Sequence, residues 1–223
     1  MDKMAVYNRL PVFAQNWACS VEGARIARTR FGSLFRRTLQ DYEARSRWSS
    51  ERIAAYRDER LRAMVKYCYD TVPYYRAMFD EGGIDPASIK SLDDMGRLPL
   101  LTKKEVNENP ERFFSTAYRG KRIKHHTSGT TGSGFVFYTS PEAICEQWAC
   151  WWRFREALGI EFGTSQAMFG TQKVVPAIQA APPYWRENRP GNQVYFSAFH
   201  ESEGNLAEYC EEIKRRRIPW IHG

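Results

Sequence analysis

The segment from Thr127 to Gly134 is the clearest candidate for chemistry in this sequence. It contains three glycines, and its other five residues are Thr127, Ser128, Thr130, Thr131 and Ser133. Glycine permits backbone conformations that turn successive amides toward one anion, and hydroxyl groups add further donors. The segment therefore predicts a phosphate-binding loop. The alternative is a hairpin turn without a ligand, although such turns need fewer residues and little hydroxyl content.

Two better-known phosphate motifs do not fit this segment. Gly129 and Gly134 have the spacing of a Walker A loop, but Phe135 stands where that motif requires lysine and Val136 where it requires Ser or Thr. The dinucleotide-binding pattern fails because Thr131 is not glycine. A lysine-dependent P-loop is therefore excluded, and a loop that relies on amides and hydroxyl groups remains.

The histidines and tryptophans are weaker candidates. His125 and His126 adjoin the loop and either face a phosphate or occupy an ordinary strand edge. His222 receives no role from the sequence. A group of tryptophans follows the loop at helical spacing and shares one predicted helix face with Ile144 and Leu158, which favours core packing over a substrate wall. These tryptophans are Trp148, Trp151 and Trp152, and the neighbouring Arg153 and Arg155 are expected on other, solvent-exposed faces of the same helix.

The composition favours anionic partners. The net charge is +7, with basic residues concentrated in Arg25 to Arg37 and Arg119 to Lys124. A nucleotide, CoA, a nucleic acid or a membrane surface would suit this charge, and two solvated basic faces are the alternative. The five cysteines form no Cys-x-x-Cys pair, which argues against disulfides or zinc and favours a cytoplasmic location. No signal peptide and no membrane span of ~20 apolar residues is recognisable.

Short helices are predicted before residue 119. Residues 1–48 are expected to form an arm or short helices. A helix capped by Ser50 is predicted over Glu51–Asp70, and a second over Tyr74–Glu81 ends at Gly82-Gly83. The apolar stripe of the first helix is expected at Ile53, Tyr56, Leu61, Met64, Val65 and Cys68. Capping boxes are predicted at Ser91–Asp94 and Thr102–Glu105.

Strands and helices alternate after residue 119. Strands over Ile123–His126 and Phe135–Thr139 are predicted to flank the loop, and a helix is expected to begin at Pro141 and end at Gly159. Later strands are predicted over Ala167–Phe169 and Val194–Phe196, with a loop-rich stretch over residues 171–192. A helix over Glu203–Arg217 follows, and its inward residues are expected to be Leu206, Tyr209, Cys210 and Ile213. This order predicts a parallel α/β unit.

The loop and its surroundings resemble a known family. Residues 127–132, T-S-G-T-T-G, resemble the core signature of the adenylate-forming superfamily of acyl-CoA ligases. The phenylacetate–CoA ligase group is the most similar, particularly its CapK-type members associated with capsular polysaccharide biosynthesis. Residues 61–79, the stretch Leu98 to Lys103 and the final Trp220 to Gly223 are also similar to segments of that group. The likeness covers nearly the whole chain, and the loop is its most specific part.

The resemblance implies the activation of a carboxylic acid with ATP. The family's loop binds the β- and γ-phosphates, which implies this role for Thr127, Ser128, Gly129, Thr130, Thr131, Gly132 and Ser133. Mg²⁺ is implied with ATP, CoA is a possible co-substrate, and no metal-ligand residues are assigned. The substrate carboxylate and the catalytic residues stay unknown. For His200 the resemblance implies lining of the acyl channel, and a surface position at a helix start is the alternative.

The implied fold class is α/β, with a helical N-terminal layer followed by the start of an adenylate-forming-enzyme α/β domain that is incomplete. The predicted domains are an arm or short helices over 1–48, a helical layer over 49–118 and a partial nucleotide-binding domain over 119–223. The family's aromatic-x-x-Thr-Glu segment, its ribose-binding Asp and its C-terminal lysine subdomain are not recognisable. The chain is therefore expected to be the N-terminal portion of a longer ligase, inactive alone and lacking a C-terminal region.

Two other functions stay open. The first is a non-catalytic nucleotide-binding or scaffold protein that keeps this fold. The second is a nucleic-acid-binding protein that uses Arg25 to Arg37, although the usual nucleic-acid motifs and interleaved stacking aromatics are missing. We therefore expect no nucleic-acid partner.

Overall fold

A computed structural model describes residues 3–127 and 134–223. The helices are Lys3–Tyr7 (α1), Val12–Arg30 (α2), Ser33–Arg45 (α3), Ser50–Thr71 (α4), Pro73–Glu81 (α5), Lys103–Glu108 (α6), Pro141–Ala157 (α7) and Glu203–Arg215 (α8). The strands are Ile123–His126 (β1), Val136–Thr139 (β2), Gln166–Gly170 (β3), Trp185–Asn188 (β4), Gln193–Ser197 (β5) and Trp220–His222 (β6). Short 3₁₀ helices occupy Pro86–Ser88, Leu92–Arg97, Pro110–Phe113 and Arg189–Gly191. The chain is thus a mixed helix and sheet protein, consistent with the predicted α/β class.

Contacts divide the chain into two compact units. The first unit contains Met1–Leu39 and Gln147–Gly223, and the second contains Gln40–Glu146. These limits differ from the predicted domain limits at residues 48 and 118. The division into an arm, a helical layer and a nucleotide-binding domain stays a prediction.

The first unit is built on a four-stranded sheet in the order β4-β5-β3-β6. β3 runs parallel to both β5 and β6, while β4 pairs with β5 in the antiparallel direction. The predicted parallel α/β unit is therefore confirmed, because β5 leads through α8 to β6 on the far side of β3. The predicted loop-rich stretch over 171–192 also contains a strand that was not predicted, β4.

Residues 12–30 form one long helix, α2, where the sequence predicts an arm or short helices. This helix packs against β4. The Asn16 side chain accepts a hydrogen bond from the Glu187 amide at 3.0 Å, and the Ser20 hydroxyl donates to the Glu187 carbonyl at 3.3 Å. Gly23 is buried, and a Cβ atom there would lie 1.9 Å from Oδ1 of Asn188. Glycine thus permits this close approach of the helix to the sheet.

Arg186 of β4 is fully buried and joins several segments of the first unit. Its Nε donates to Gln15 of α2 at 2.6 Å, and its Nη2 donates to Gln179 at 2.6 Å. Its Nη1 donates to the carbonyl oxygens of Pro183 and Trp185 at 2.8 and 2.7 Å. Burial lowers the pKa of this guanidinium, which nevertheless keeps its charge because arginine is not deprotonated in proteins.

Helix α8 covers one face of the sheet with fewer apolar residues than the sequence predicts. Tyr209 is buried and packs with Phe196 and Ile218 in the core cluster, and Ile213 packs against the same cluster. Leu206 and Cys210 are exposed, so their predicted inward positions are wrong. Glu212 is buried instead, because two arginines that follow it bind its carboxylate.

Helix α7 also faces inward along a different stripe from the predicted one. It begins at Pro141 and is followed by Gly159 at a φ of 80°, as the sequence predicts. Trp152 is buried, but Trp151 and Leu158 are 48% and 63% exposed. Arg155 is buried, so its predicted solvent exposure is wrong. Cys145 and Ala149 complete the set of buried residues of this helix.

The second unit contains the predicted helix pair α4 and α5. The N-cap of α4 is Ser49, whose hydroxyl accepts from the Arg52 amide at 3.3 Å, so the predicted cap at Ser50 is wrong by one residue. The predicted apolar stripe of α4 is only partly inward: Val65 is buried, whereas Ile53 and Met64 are exposed. Val65 packs with Phe79 of α5 and Ile89 in a small core.

The caps in the second unit follow the sequence more closely. The left-handed residue after α5 is Gly83, at a φ of 58°. At the start of α6, Thr102 accepts from the Glu105 amide at 3.3 Å and the Glu105 carboxylate accepts from the Thr102 amide at 2.8 Å. This reciprocal pair confirms the capping box predicted there. The capping box predicted at Ser91 to Asp94 is also present.

Acid is expected to weaken the fold through Glu212. Hydrogen bonds from Arg215, then from Arg216, lower the pKa of this carboxyl from 4.5 to about 2. Because the folded pKa is depressed, the stabilisation is complete above pH 4.5 and is lost as the pH falls through about 2. Glu212→Gln should therefore flatten the dependence of unfolding free energy on pH across that window, as measured by urea denaturation. The matched control Glu208→Gln, an exposed residue of the same helix, should keep the wild-type slope.

Candidate functional site

The predicted loop connects two antiparallel strands of the second unit. β1 and β2 pair with Lys124 opposite Tyr138 and His125 opposite Phe137. β1 has the predicted bounds and β2 begins one residue later than predicted, so residues 127–135 connect the two strands of a β-hairpin. A hairpin is suited to hold a ligand-binding loop because it fixes the two ends of the loop next to each other.

Most of the predicted phosphate-binding residues lie outside the described part of the chain. These are Ser128, Gly129, Thr130, Thr131, Gly132 and Ser133. Thr127 and Gly134, at the two ends of the segment, are described. The phosphate-binding role of the segment therefore stays a prediction, and the structure informs it through the geometry of these two ends.

Two hydrogen bonds join the ends of the loop. The Thr127 amide donates to the Phe135 carbonyl oxygen at 3.0 Å. The Phe135 amide in turn donates to the Thr127 hydroxyl oxygen at 3.1 Å. The Thr127 hydroxyl is thus used as an acceptor at the base of the loop, while its own hydrogen can still be donated elsewhere. One predicted phosphate-binding residue therefore also holds the loop closed.

Gly134 allows the two ends to approach closely. A Cβ atom at this position would lie 2.9 Å from the backbone oxygen of Thr127. Because that oxygen belongs to the backbone, it cannot be moved aside as a flexible side chain could. The third glycine of the segment is thus required by packing at the base of the loop, whatever the ligand.

His125 is engaged within the hairpin. Its Nε2 lies 2.7 Å from the Thr139 hydroxyl, and its ring stacks on Phe137 with ring centroids 5.0 Å apart. Phe137 stacks in turn on Phe135, at 5.8 Å. This row of rings on one face of the hairpin was not predicted, although the alternation of His125, Phe135 and Phe137 about the loop could have indicated it. His126 lies on the other face, exposed with Lys124.

Basic and acidic residues flank the hairpin. Arg122 donates to the carbonyl oxygens of Ser115 and Tyr118 at 3.3 and 3.2 Å, which fixes the approach to β1. The Tyr118 hydroxyl donates to Glu142 at 3.2 Å. Hydrogen bonds from its own amide, then from Ser140 and Tyr118, lower the pKa of the Glu142 carboxyl. Glu142 is therefore a charged, already hydrogen-bonded group at the start of α7. Lys124 and His126 lie on the exposed face of β1.

Groups of side chains that could hold a metal ion were sought among the described residues. Among residues 3–127 and 134–223, no three His, Cys, Asp or Glu side chains are grouped so that they could hold a metal ion. In the same part of the chain, no helix is both long and apolar enough to cross a membrane.

His200 lies in the first unit and is only partly exposed. The Phe199 amide donates to the Ser197 hydroxyl at 3.3 Å, and that hydroxyl lies 2.7 Å from Nδ1 of His200. The ring stacks on Tyr184 at 4.7 Å, and Nε2 is buried without a partner among the described residues. His200 is thus partly exposed shortly before the start of α8, and both the acyl-channel role and the surface alternative stay predictions.

Removal of the Thr127 hydroxyl should loosen the base of the loop. Thr127→Val keeps the side-chain shape but removes the acceptor of the Phe135 amide. A hydrogen bond of this kind contributes about 1 kcal/mol, so exchange of the Phe135 amide hydrogen should accelerate roughly fivefold by NMR. Thr127→Ser keeps the acceptor and should exchange at the wild-type rate. Equal exchange in all three proteins would show that this bond does not hold the loop.

Comparison with known proteins identifies several relatives. No protein-family model matches the chain. Protein CapK of Staphylococcus aureus is 26% identical over 219 residues, which cover 98% of this chain and 47% of CapK. A phenylacetate–coenzyme A ligase of Thermus thermophilus is 36% identical over 87 residues, or 39% of this chain and 20% of that ligase. The corresponding Escherichia coli ligase is 32% identical over 102 residues, or 45% and 23%. The chain thus spans about half the length of CapK and less of the ligases.

Proposed function

We propose that the chain, which is similar to protein CapK and to phenylacetate–CoA ligases, carries the phosphate-binding part of an enzyme that activates a carboxylic acid with ATP. One observation carries the proposal. A segment of glycines and hydroxyl residues connects β1 and β2, and Thr127, Gly134 and Phe135 fix its base. Such a segment can present amides and hydroxyl groups to one anion without contributing a charge of its own.

The proposed substrate at the loop is the triphosphate of ATP. Amides and hydroxyl groups of residues 128–133 would bind the β- and γ-phosphates, while Thr127 keeps the ends of the loop together. Mg²⁺, if it accompanies ATP, would be coordinated mainly by phosphate oxygens and water, with a hydroxyl group as a further ligand. Its charge would offset that of the phosphates.

The lack of a lysine in the loop sets this site apart from a Walker A site. Phe135 occupies the lysine position and instead stacks in the row with Phe137 and His125. Positive charge must then come from outside the loop. Lys124 lies on the exposed face of β1, within the basic stretch that precedes the loop. The loop would therefore orient the phosphates, and the surrounding charge would attract them.

In the proposed reaction, an oxygen of the substrate carboxylate attacks the α-phosphorus of ATP, and pyrophosphate leaves. The product is an acyl-adenylate, from which a thiol takes the acyl group and releases AMP. CoA is the thiol named for the phenylacetate–CoA ligases. In this proposal His200 lines the acyl channel, where its Nε2 is buried without a partner among the described residues. The identity of the acid stays open, and the cytoplasmic location and a role in polysaccharide synthesis stay predictions.

The second candidate function is nucleotide binding without chemistry. The sequence contains no aromatic-x-x-Thr-Glu segment for adenine and magnesium, and Phe135 replaces the loop lysine. We therefore propose that the 223 residues bind the phosphates but need further residues to complete adenylation. A scaffold protein of the same family would bind the phosphates, but even its complete form would not catalyse adenylation.

Loss of the loop hydroxyl groups should weaken ATP binding. The double variant Thr130→Val and Thr131→Val removes two donors to a charged group, each contributing about 1.5–3 kcal/mol. The dissociation constant of ATP, measured by isothermal titration calorimetry, should rise at least tenfold. Thr171→Val, an exposed threonine outside the loop, is the control and should bind as the wild type does. Unchanged affinity in the double variant would refute the phosphate assignment.

Pyrophosphate exchange separates the two candidate functions. The complete protein should incorporate labelled pyrophosphate into ATP only when a suitable carboxylic acid is present, because the exchange requires reversible adenylation. The 223-residue chain alone should bind ATP without exchange. Exchange by the chain alone would contradict its need for further residues. ATP binding without exchange in the complete protein, across a broad panel of acids, would favour the non-catalytic function.

A further inference from the structure

A buried arginine in the first unit is surrounded by tryptophan rings. Arg155 of α7 is 6% exposed, although the sequence predicts it in solvent. Its guanidinium carbon lies 5.4, 4.9 and 5.1 Å from the ring centroids of Trp151, Trp152 and Trp220. Such cation–π contacts favour a desolvated guanidinium, but they leave its N–H groups without hydrogen-bond acceptors. We refer to Arg155, these three tryptophans and His222 as the Arg155 cage.

The charge of Arg155 has little polar compensation. Across residues 3–127 and 134–223, no carboxylate forms an ion pair with Arg155, and its hydrogen bonding is limited to one long contact. That contact joins its Nη2 to Nδ1 of His222 at 3.5 Å. Since arginine can only donate, Nδ1 of His222 accepts, and the imidazole hydrogen resides on Nε2. Burial, then the charge of Arg155, lowers the pKa of His222 and so favours this neutral form.

Two further donors of the cage are unsatisfied. The indole Nε1 atoms of Trp152 and Trp220 are buried and have no hydrogen-bond partner among the described residues. Trp152 itself is only 4% exposed. An unpaired buried N–H group is destabilising, so two of them beside a buried cation favour the binding of an acceptor. The guanidinium and the two indole N–H groups are donors, and Nδ1 of His222 is the one acceptor that the described residues place within hydrogen-bond distance of any of them.

We propose that the Arg155 cage is a binding site for the carboxylate group of a small organic acid. A carboxylate offers two acceptor oxygens that match the fork of the guanidinium, and its single negative charge equals the single positive charge of the cage. A phosphate dianion would leave an excess negative charge among apolar rings. Trp151 and Phe154, which are 48% and 56% exposed on the same helix, would contact an apolar body attached to the carboxylate.

The strand that carries two of these groups supports the arrangement. Trp220 and His222 are alternate residues of β6 and therefore share one face of the strand, paired with Gln166 and Met168 of β3. Trp151 and His222 are in edge contact, at 6.4 Å between ring centroids. The cage thus rests on two regular elements, α7 and β6, which can hold its donors in fixed positions. The inference is separate from the phosphate assignment, since it involves neither ATP nor the phosphate loop.

Benzoate tests this proposal in the absence of ATP and magnesium. With ¹⁵N-labelled tryptophan, the indole N–H signals of Trp152 and Trp220 should move in a saturable manner as benzoate is added, because a new acceptor reaches them. Benzamide, a neutral compound of the same shape, should leave these signals in place. Trp152→Phe and Trp220→Phe assign the two signals. Equal shifts with benzamide, or none with benzoate at tens of millimolar, would overturn the proposal.

Matched variants identify the groups that bind. Arg155→Met should weaken benzoate binding at least tenfold, while Arg153→Met, on the same helix, should leave it unchanged. If Arg155→Met fails to fold, Trp220→Phe keeps the ring, removes one donor and should weaken binding severalfold. Thr130→Val with Thr131→Val should not affect benzoate binding, so failure of this proposal and failure of the proposed function are distinguishable. Wild-type benzoate affinity in both Arg155→Met and Trp220→Phe would assign the cage to packing alone.

Discussion

The constraint that organises the first unit is that a buried cation needs an acceptor for its N–H groups. Arg186 meets this constraint with neutral oxygens alone. Its acceptors come from α2, from the segment before β4 and from β4 itself. Because each acceptor must be in place, the position of α2 on the sheet and the course of residues 179–185 are coupled to one side chain. The close approach at Gly23 then follows from the same docking.

Arg155 presents the opposite case in the same unit. Its charge is surrounded by aromatic faces, and its hydrogen bonding within the described residues is limited to the long contact with His222. Two arginines of similar burial thus differ in how completely the fold satisfies them. Arg186 is explained by structure alone, since its partners account for its position. The partners of Arg155 do not account for its burial in this way. We therefore assign a binding role to Arg155 and a packing role to Arg186.

The sequence predicts the parts of the fold that follow apolar periodicity and local hydrogen bonding. The strands beside the loop, the start of α7, the end of α5 and the capping box at Thr102 are such cases. It fails where polar residues turn inward. β4 was missed because two of its four residues, Arg186 and Asn188, are buried and polar. Glu212 of α8 and Arg155 of α7 are likewise buried and polar, although the sequence predicts apolar residues on the inward faces of these helices. For the candidate site, the sequence predicts the segment and the strands beside it. The hydrogen bonds that join Thr127 to Phe135 depend on the three-dimensional structure and could not be predicted from the sequence.

The closure of the loop has a consequence for the entropy of binding. Hydrogen bonds between Thr127 and Phe135 hold the ends of the segment together before any ligand arrives. The entropic cost of bringing these ends together is therefore met during folding of the hairpin. A ligand that binds there does not have to bring these ends together, so more of its interaction energy appears as affinity. A loop of uncharged residues can thereby compete with one that holds its phosphate through a lysine.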